Sequence, residues 1–256
     1  MILTLSTTLR PATDLGFLLM KNPARTWEGK TSHGRVTVIW PEANEERATA
    51  ALVLEVDPVG LVRGDRGRED SYVNDRPFVA NSYLSVAIAE AFGTALAGRS
   101  RERQELADER IPLEIGVACV RGPAETIDGF FAPLGWRVEA TPIGSGRYCD
   151  LRLIGEQRLR DALSHLVVLL PALDDRPHYF VGEAETAALV ARGEGWLDSH
   201  PLREAILGRS LKRRRDLVDR ARELLRLPPP EAPRVDPKVH DGRLDRVVEI
   251  LAGLPI

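Results

Sequence analysis

An α+β domain, in which a βαββα unit occurs twice and a helical C-terminal segment follows, is what this sequence predicts. Three observations carry the expectation. Short β-branched and aliphatic runs recur along the chain, and helical apolar stripes fall between them. One stretch also echoes another: RPATDLGFLL (Arg10 to Leu19) beside RGPAETIDGFFA (Arg121 to Ala132), each a proline-started helix placed after a strand.

In chain order, Ile2 to Thr8 alternates with period two and reads as a first strand. In PATDLGFLLMKNP, Thr13 or Asp14 is placed to accept from the free amides of a first helical turn. Leu15, Leu18 and Leu19 make its apolar stripe, and Asn22-Pro23 ends it. Arg35 to Trp40 and Ala51 to Val56 are the next two strands. After a loop rich in Gly, Asp and Arg, the residues Leu84, Ile88, Ala91, Phe92 and Ala95 share one face of a helix. Gly98 supplies the left-handed cap that would end it near Ala97.

The order then repeats. Leu113 to Val120 is a strand, Ala124 to Phe131 a helix, Trp136 to Thr141 and Tyr148 to Ile154 two strands, and Arg158 to Leu173 an apolar helix. Beyond it, Glu183 to Arg192, Gly195 to His200 and Arg203 to Leu207 read as short helical pieces, and Arg209 to Leu227 as one long amphipathic helix. The expected layout is one domain over 1–226, with repeats at 1–98 and 111–173 and a helical segment at 183–226. A proline-rich linker (LPPPEAPRVDPK) spans 227–241, since clustered prolines fix φ and remove backbone donors. Residues 242–256 read as the opening of a further domain that the sequence does not contain.

Composition narrows the function classes. The 256 residues are 43% hydrophobic and 29% charged with a net charge of -3, so no long-range positive field marks a nucleic-acid binder, although local basic patches remain open. Two cysteines, Cys119 and Cys149, are too few for a thiol-only zinc site or a disulfide framework, and they fit a reduced, cytoplasmic setting. The amino-terminal residues lack a basic leader, and no apolar run approaches the ~20 residues of a membrane span.

Chemical motifs are sparse. His165 stands alone in the apolar run LSHLVVLLP and reads as a hydrogen-bonded core residue. Asp174, Asp175, His178 and Tyr179 in DDRPHY have the chemistry to hold a divalent cation or move a proton, yet Asp and Pro at a helix end read more simply as a turn. Gly64 and Gly67 lack the spacing of a phosphate-cradling loop. Catalytic, cofactor and metal residues are therefore all assigned as none. What remains is arginine: Arg76 in the NDRP turn, Arg99, Arg101 and Arg103 after the alanine-rich helix, and Lys212, Arg213, Arg214 and Arg215 as an alternative basic patch. Such side chains suit phosphates and partner carboxylates equally, or a solvated face with Glu102, Glu105, Asp216 and Asp219 as local partners.

Several long segments, taken in order, resemble one family. TTLRPATDLGFLL, PEANEERATAALVLEVDPVGLVRG, YVNDRPFVANSYLSVAIAEAFGTALAGRS, LSHLVVLLPALDDRPHYFVGE and GEGWLDSHP are similar to the N-terminal domain of bacterial HEN-type RNA 3′-terminal ribose 2′-O-methyltransferases. The resemblance covers most of Met1 to about Leu225. It implies a domain that precedes a separate methyltransferase domain binding S-adenosylmethionine and a metal, and the sequence stops where that domain would begin. Methyl transfer and its cofactors are thus not expected of these residues. It also implies a partner, the RNA-repair kinase-phosphatase-ligase, whose ligase module this domain would bind and activate by promoting adenylation. On that reading Arg76, Arg99, Arg101 and Arg103 form a docking edge. The alternative is an RNA-binding module that presents the 3′ end to the methyltransferase.

Overall fold

The computed structural model describes residues 1–31, 33–56, 80–174, 182–211 and 214–228. Met1–Arg226 forms one compact unit. Arg76, Asp175, His178, Tyr179, Lys212 and Arg213 lie outside the described residues, as do most of the expected linker and all of 242–256.

The strands are β1 (Ile2–Thr7), β2 (Trp27–Thr31), β3 (Gly34–Ala43), β4 (Ala48–Val56), β5 (Ile111–Arg121), β6 (Arg137–Ile143) and β7 (Tyr148–Gln157). They form one seven-stranded sheet in the order β2-β3-β4-β1-β5-β7-β6, with every pairing antiparallel. Strand alternation divides the sheet into two faces. In register, Leu3 meets Leu52 and Val117, while Leu5 meets Ala50 and Ile115, all of them buried. One residue along, Thr4 meets Ala51 and Gly116, and Ser6 meets Thr49 and Glu114. Toward β6 this second face carries a charge ladder. Glu114 accepts from Arg47 Nη2 at 3.1 Å and Arg152 Nε at 3.0 Å, and Arg152 Nη1 reaches Glu139 Oε2 at 3.1 Å.

Six of the seven strands are arranged alike about the β1–β5 seam. Outward on one side come β4 and β3, and on the other β7 and β6. Each half thus consists of a central strand, a hairpin outside it and a helix after the hairpin. The first half departs from the expected unit by the edge strand β2, whose WEGKT alternates half-buried with exposed residues. Too short and polar to stand out as a strand, it is held by pairing with β3.

Among the described residues the helices are α1 (Leu15–Leu19), α2 (Ala80–Ala91), α3 (Gly93–Leu96), α4 (Gln104–Ala107), α5 (Ala124–Phe131), α6 (Leu159–Leu173), α7 (Glu183–Gly193), α8 (Arg203–Ser210) and α9 (Arg215–Leu224). Helix α6, apolar from Leu166 to Leu173, is buried along almost its whole length and packs against α2, α3, α5, α7, α8 and β5. Asn81 and Ser82 anchor the start of α2. Asn81 exchanges hydrogen bonds with the backbone of Arg121 at 3.0 and 3.1 Å, and Asp174 Oδ2 accepts from Ser82 N at 2.9 Å and Ser82 Oγ at 2.6 Å.

Three local expectations are corrected. The stretch Gly195 to His200 forms turns, not a helix, with Gly195 at φ 84. The expected long helix from Arg209 to Leu227 is two helices, because α8 ends at Ser210 and Arg214 is extended (φ -71, ψ 109) ahead of α9. The helix after Ser82 breaks at Phe92 (φ -118, ψ 26) before α3 resumes, although Gly98 (φ 69) has the left-handed backbone expected of it.

Candidate docking site

The LGFLL of α1 buries Leu15, Leu18 and Leu19, and leaves Phe17 off that stripe and 38% exposed. The expected capping by Thr13 or Asp14 does not occur. A 3₁₀ turn, Ala12–Asp14, leads directly into α1 with no side-chain cap, and Asp14 turns instead toward a segment far along the chain. Arg103 Nε donates to Asp14 Oδ2 at 2.8 Å, and the Arg103 guanidinium lies over the Phe17 ring at 5.2 Å.

The segment 98–104 is tied down by further hydrogen bonds. Ser100 Oγ donates to the Phe17 carbonyl at 3.1 Å and accepts from Arg103 N at 3.2 Å. Gln104 closes the loop on itself, accepting from Ser100 N at 3.0 Å and donating to the Gly98 carbonyl at 3.0 Å. The consequence is a rigid platform carrying three arginines in different situations. Arg103 already has a carboxylate and an aromatic ring. Arg101 is exposed and has no ion pair among the described residues. Arg99 is also exposed, and it lines an open groove of about 290 Å³ with Lys21, Glu90 and Thr94.

Of the alternative basic patch, Arg214 and Arg215 are described. Arg214 Nη2 reaches Asp216 Oδ2 at 2.6 Å, and Arg215 is exposed at the start of α9. Of DDRPHY, only Asp174 is described. It is 1% exposed and holds the first turn of α2, a structural task for a residue weighed as a cation ligand. Burial pushes its carboxyl up to about 6, against the opposing pull of the Ser82 hydrogen bonds. His165 is 3% exposed and accepts at Nδ1 from Trp136 Nε1 at 3.1 Å, in an aromatic cluster with Trp196. Burial draws its pKa down to about 3. No group of three or more acidic, His or Cys side chains among the described residues is placed to hold a metal, and no helix among them is long and apolar enough to cross a membrane.

Sequence reasoning missed Asp14, Phe17 and Lys21 as members of this site. Phe17 was legible as the one large apolar residue off the α1 stripe. Asp14 and Lys21 carried no such signal, since only folding brings them beside a segment roughly eighty residues away.

The chain is an α+β domain built on one antiparallel sheet, with arginines presented after α3, and known proteins share its fold. A chain from "Structure of the Pnkp1/Rnl/Hen1 RNA repair complex" superposes with a TM-score of 0.54 at 14% identity, over 82% of this chain and 52% of its own. Another, from "Structure of Pnkp1/Rnl/Hen1 complex", gives 0.56 at 15% identity, over 86% and 53%. At that identity the likeness is one of fold, and this chain spans about half the length of the solved chains it matches. No curated protein matches it. The family described as the RNA repair, ligase-Pnkp-associating region of Hen1 matches residues 1–226, and the chain belongs to that family.

Proposed function

We propose that this chain is the non-catalytic domain through which an RNA-repair methyltransferase of the Hen1 type binds a cytoplasmic kinase-phosphatase-ligase and promotes adenylation of its ligase. The observation that carries the reading is the match of residues 1–226 to a ligase-Pnkp-associating region. The site supports it. Arg99 and Arg101 project from a platform locked by the Asp14–Arg103 pair and the Ser100 hydrogen bonds, so partner binding need not order the loop at its own entropic cost. Arginine forks held this way suit carboxylates on a protein surface.

The two solved likenesses come from complexes of Pnkp1, Rnl and Hen1, which is the setting the reading predicts for this chain. The test is co-purification of the chain with the kinase-phosphatase-ligase, followed by ligase adenylation with and without the chain. Stable association with raised adenylation is the expected result. Failure to associate would reject the proposal, and association without any change in adenylation would reject activation while leaving docking in place.

A further inference from the structure

We propose that the groove between α1 and α3 receives a carboxylate side chain of the ligase-bearing partner, held by the Lys21 ammonium and the Arg99 guanidinium. The inference rests on the docking reading above and names the chemistry of the contact.

Lys21 follows the left-handed Met20 (φ 54) that ends α1, and its backbone N–H donates to the Gly16 carbonyl at 2.9 Å. The chain direction is thereby fixed at the groove edge. Its ammonium lies 4.4 Å from the centroid of the Trp27 ring, so one side faces an aromatic surface instead of water. Burial lowers its pKa from the ordinary value, the mark of a cation that has lost hydration and gained no carboxylate. Across the groove, Arg99 is positioned by its own N–H donating to the Thr94 carbonyl at 3.1 Å. Neither Lys21 nor Arg99 forms an ion pair with the described residues.

Charge decides the class of occupant. Two cations, Lys21 and Arg99, face one carboxylate, Glu90, so one incoming carboxylate neutralises the groove. An oxyanion placed against a partly desolvated ammonium gains more than one at an open surface, where water and salt screen the pair. A nucleic-acid strand asks for something else: successive phosphates along a run of free cations, and aromatic faces for bases. Here the neighbouring Arg103 is paired with Asp14 and covers Phe17, while Glu90, Glu102 and Glu105 interrupt the basic run. A protein carboxylate fits, and a phosphate chain does not.

The test measures binding of the full chain to its kinase-phosphatase-ligase by calorimetry, for wild type and for Lys21→Glu, Arg99→Glu and Glu90→Gln. Each charge reversal should weaken binding at least about tenfold, while Glu90→Gln, which removes the one repelling group, should tighten it several-fold. A gain of affinity cannot come from misfolding, so Glu90→Gln stays informative even if a reversal variant proves unstable. Lack of wild-type binding would overturn the docking reading and this inference together. Wild-type binding that is unchanged in all three variants would overturn the groove alone. If the reversals abolish binding of a short single-stranded RNA while partner binding persists, the groove is a phosphate site and the inference fails.

Discussion

Arg103 reaches back 89 residues along the chain to place its Nε 2.8 Å from Asp14 Oδ2, and this pair fixes the segment after α3 against α1. The Asp14 hydrogen bond is the main reason the charged form of Arg103 is favoured. It makes Arg103 a positioning residue for the platform, with Arg99 and Arg101 as the side chains left to reach outward.

Arg103→Glu should therefore act through the platform. It sets a carboxylate against Asp14 and strips the cation from Phe17, so the melting temperature should fall below that of Arg101→Glu. Asp14→Asn keeps a neutral acceptor for Arg103 and should fall less. Thermal melts of the three variants followed by circular dichroism check this, and equal melting of Arg103→Glu and Arg101→Glu would remove the positioning role.

Arg101→Glu should leave the fold intact, because the side chain has no ion pair with the described residues to lose. If Arg101 is buried against a partner carboxylate, ligase association should weaken by ~2 to 5 kcal/mol. If it grips RNA instead, RNA binding by the chain should fall and its salt dependence flatten by about one contact's worth, with partner assembly unchanged. Pull-down and RNA binding, measured side by side, separate the two.

Most of the sheet could be read from the sequence because β1, β4, β5 and β7 declare themselves by alternation or by aliphatic runs. The strand β2 could not, since an edge strand with Glu28 and Lys30 facing outward owes its conformation to pairing with β3. The expectation of two βαββα units rested on the order of elements and the RPATDLGF echo. The sheet sets β1 beside β5 at its centre, but the halves differ, since the edge strand β2 belongs to the first only, and the superposition of the two units is not shown by the strand order. At the site, local pattern identified the arginines but not their situations. Whether Arg103 is free or neutralised depends on Asp14, a residue whose own neighbourhood suggested nothing more than a helix cap.

The central seam offers a packing test. Gly116 on β5 stands opposite Thr4, and a Cβ at Gly116 would approach Thr4 Oγ1 to 2.6 Å. Gly116→Val should destabilise the domain by ~1–3 kcal/mol through overpacking. Thr4→Ala in the same chain should recover part of the loss, since the two positions are in contact and their effects should not add. Urea denaturation of the singles and the double measures the coupling. Strict additivity would show that the clash is relieved elsewhere.

Buried groups contribute to the acid stability in opposite directions. His165 is neutral in the fold, with Nδ1 accepting from Trp136, and its pKa is pulled from 6.5 to about 3, chiefly by burial and further by His200. Below its unfolded pKa the unfolded chain binds a proton that the folded chain refuses, so stability falls with falling pH by up to ~1.4 kcal/mol per pH unit. The His200 pKa is also lowered by burial and adds to this slope. Asp174 works the other way, because burial raises its carboxyl from 3.8 to about 6. Between those values the folded chain keeps a proton that the unfolded chain has released, and stability rises as pH falls. In that window Asp174 offsets part of the histidine slope, and the wild type should lose stability less steeply than the histidines alone would dictate. Asp174→Asn retains an oxygen to accept from Ser82 but removes the titration, leaving the histidine slope unopposed. The variant should then lose stability more steeply than the wild type as pH falls from about 6 to about 4. Urea midpoints across that range check it. Parallel curves for variant and wild type would show that Asp174 does not hold the proton assigned to it.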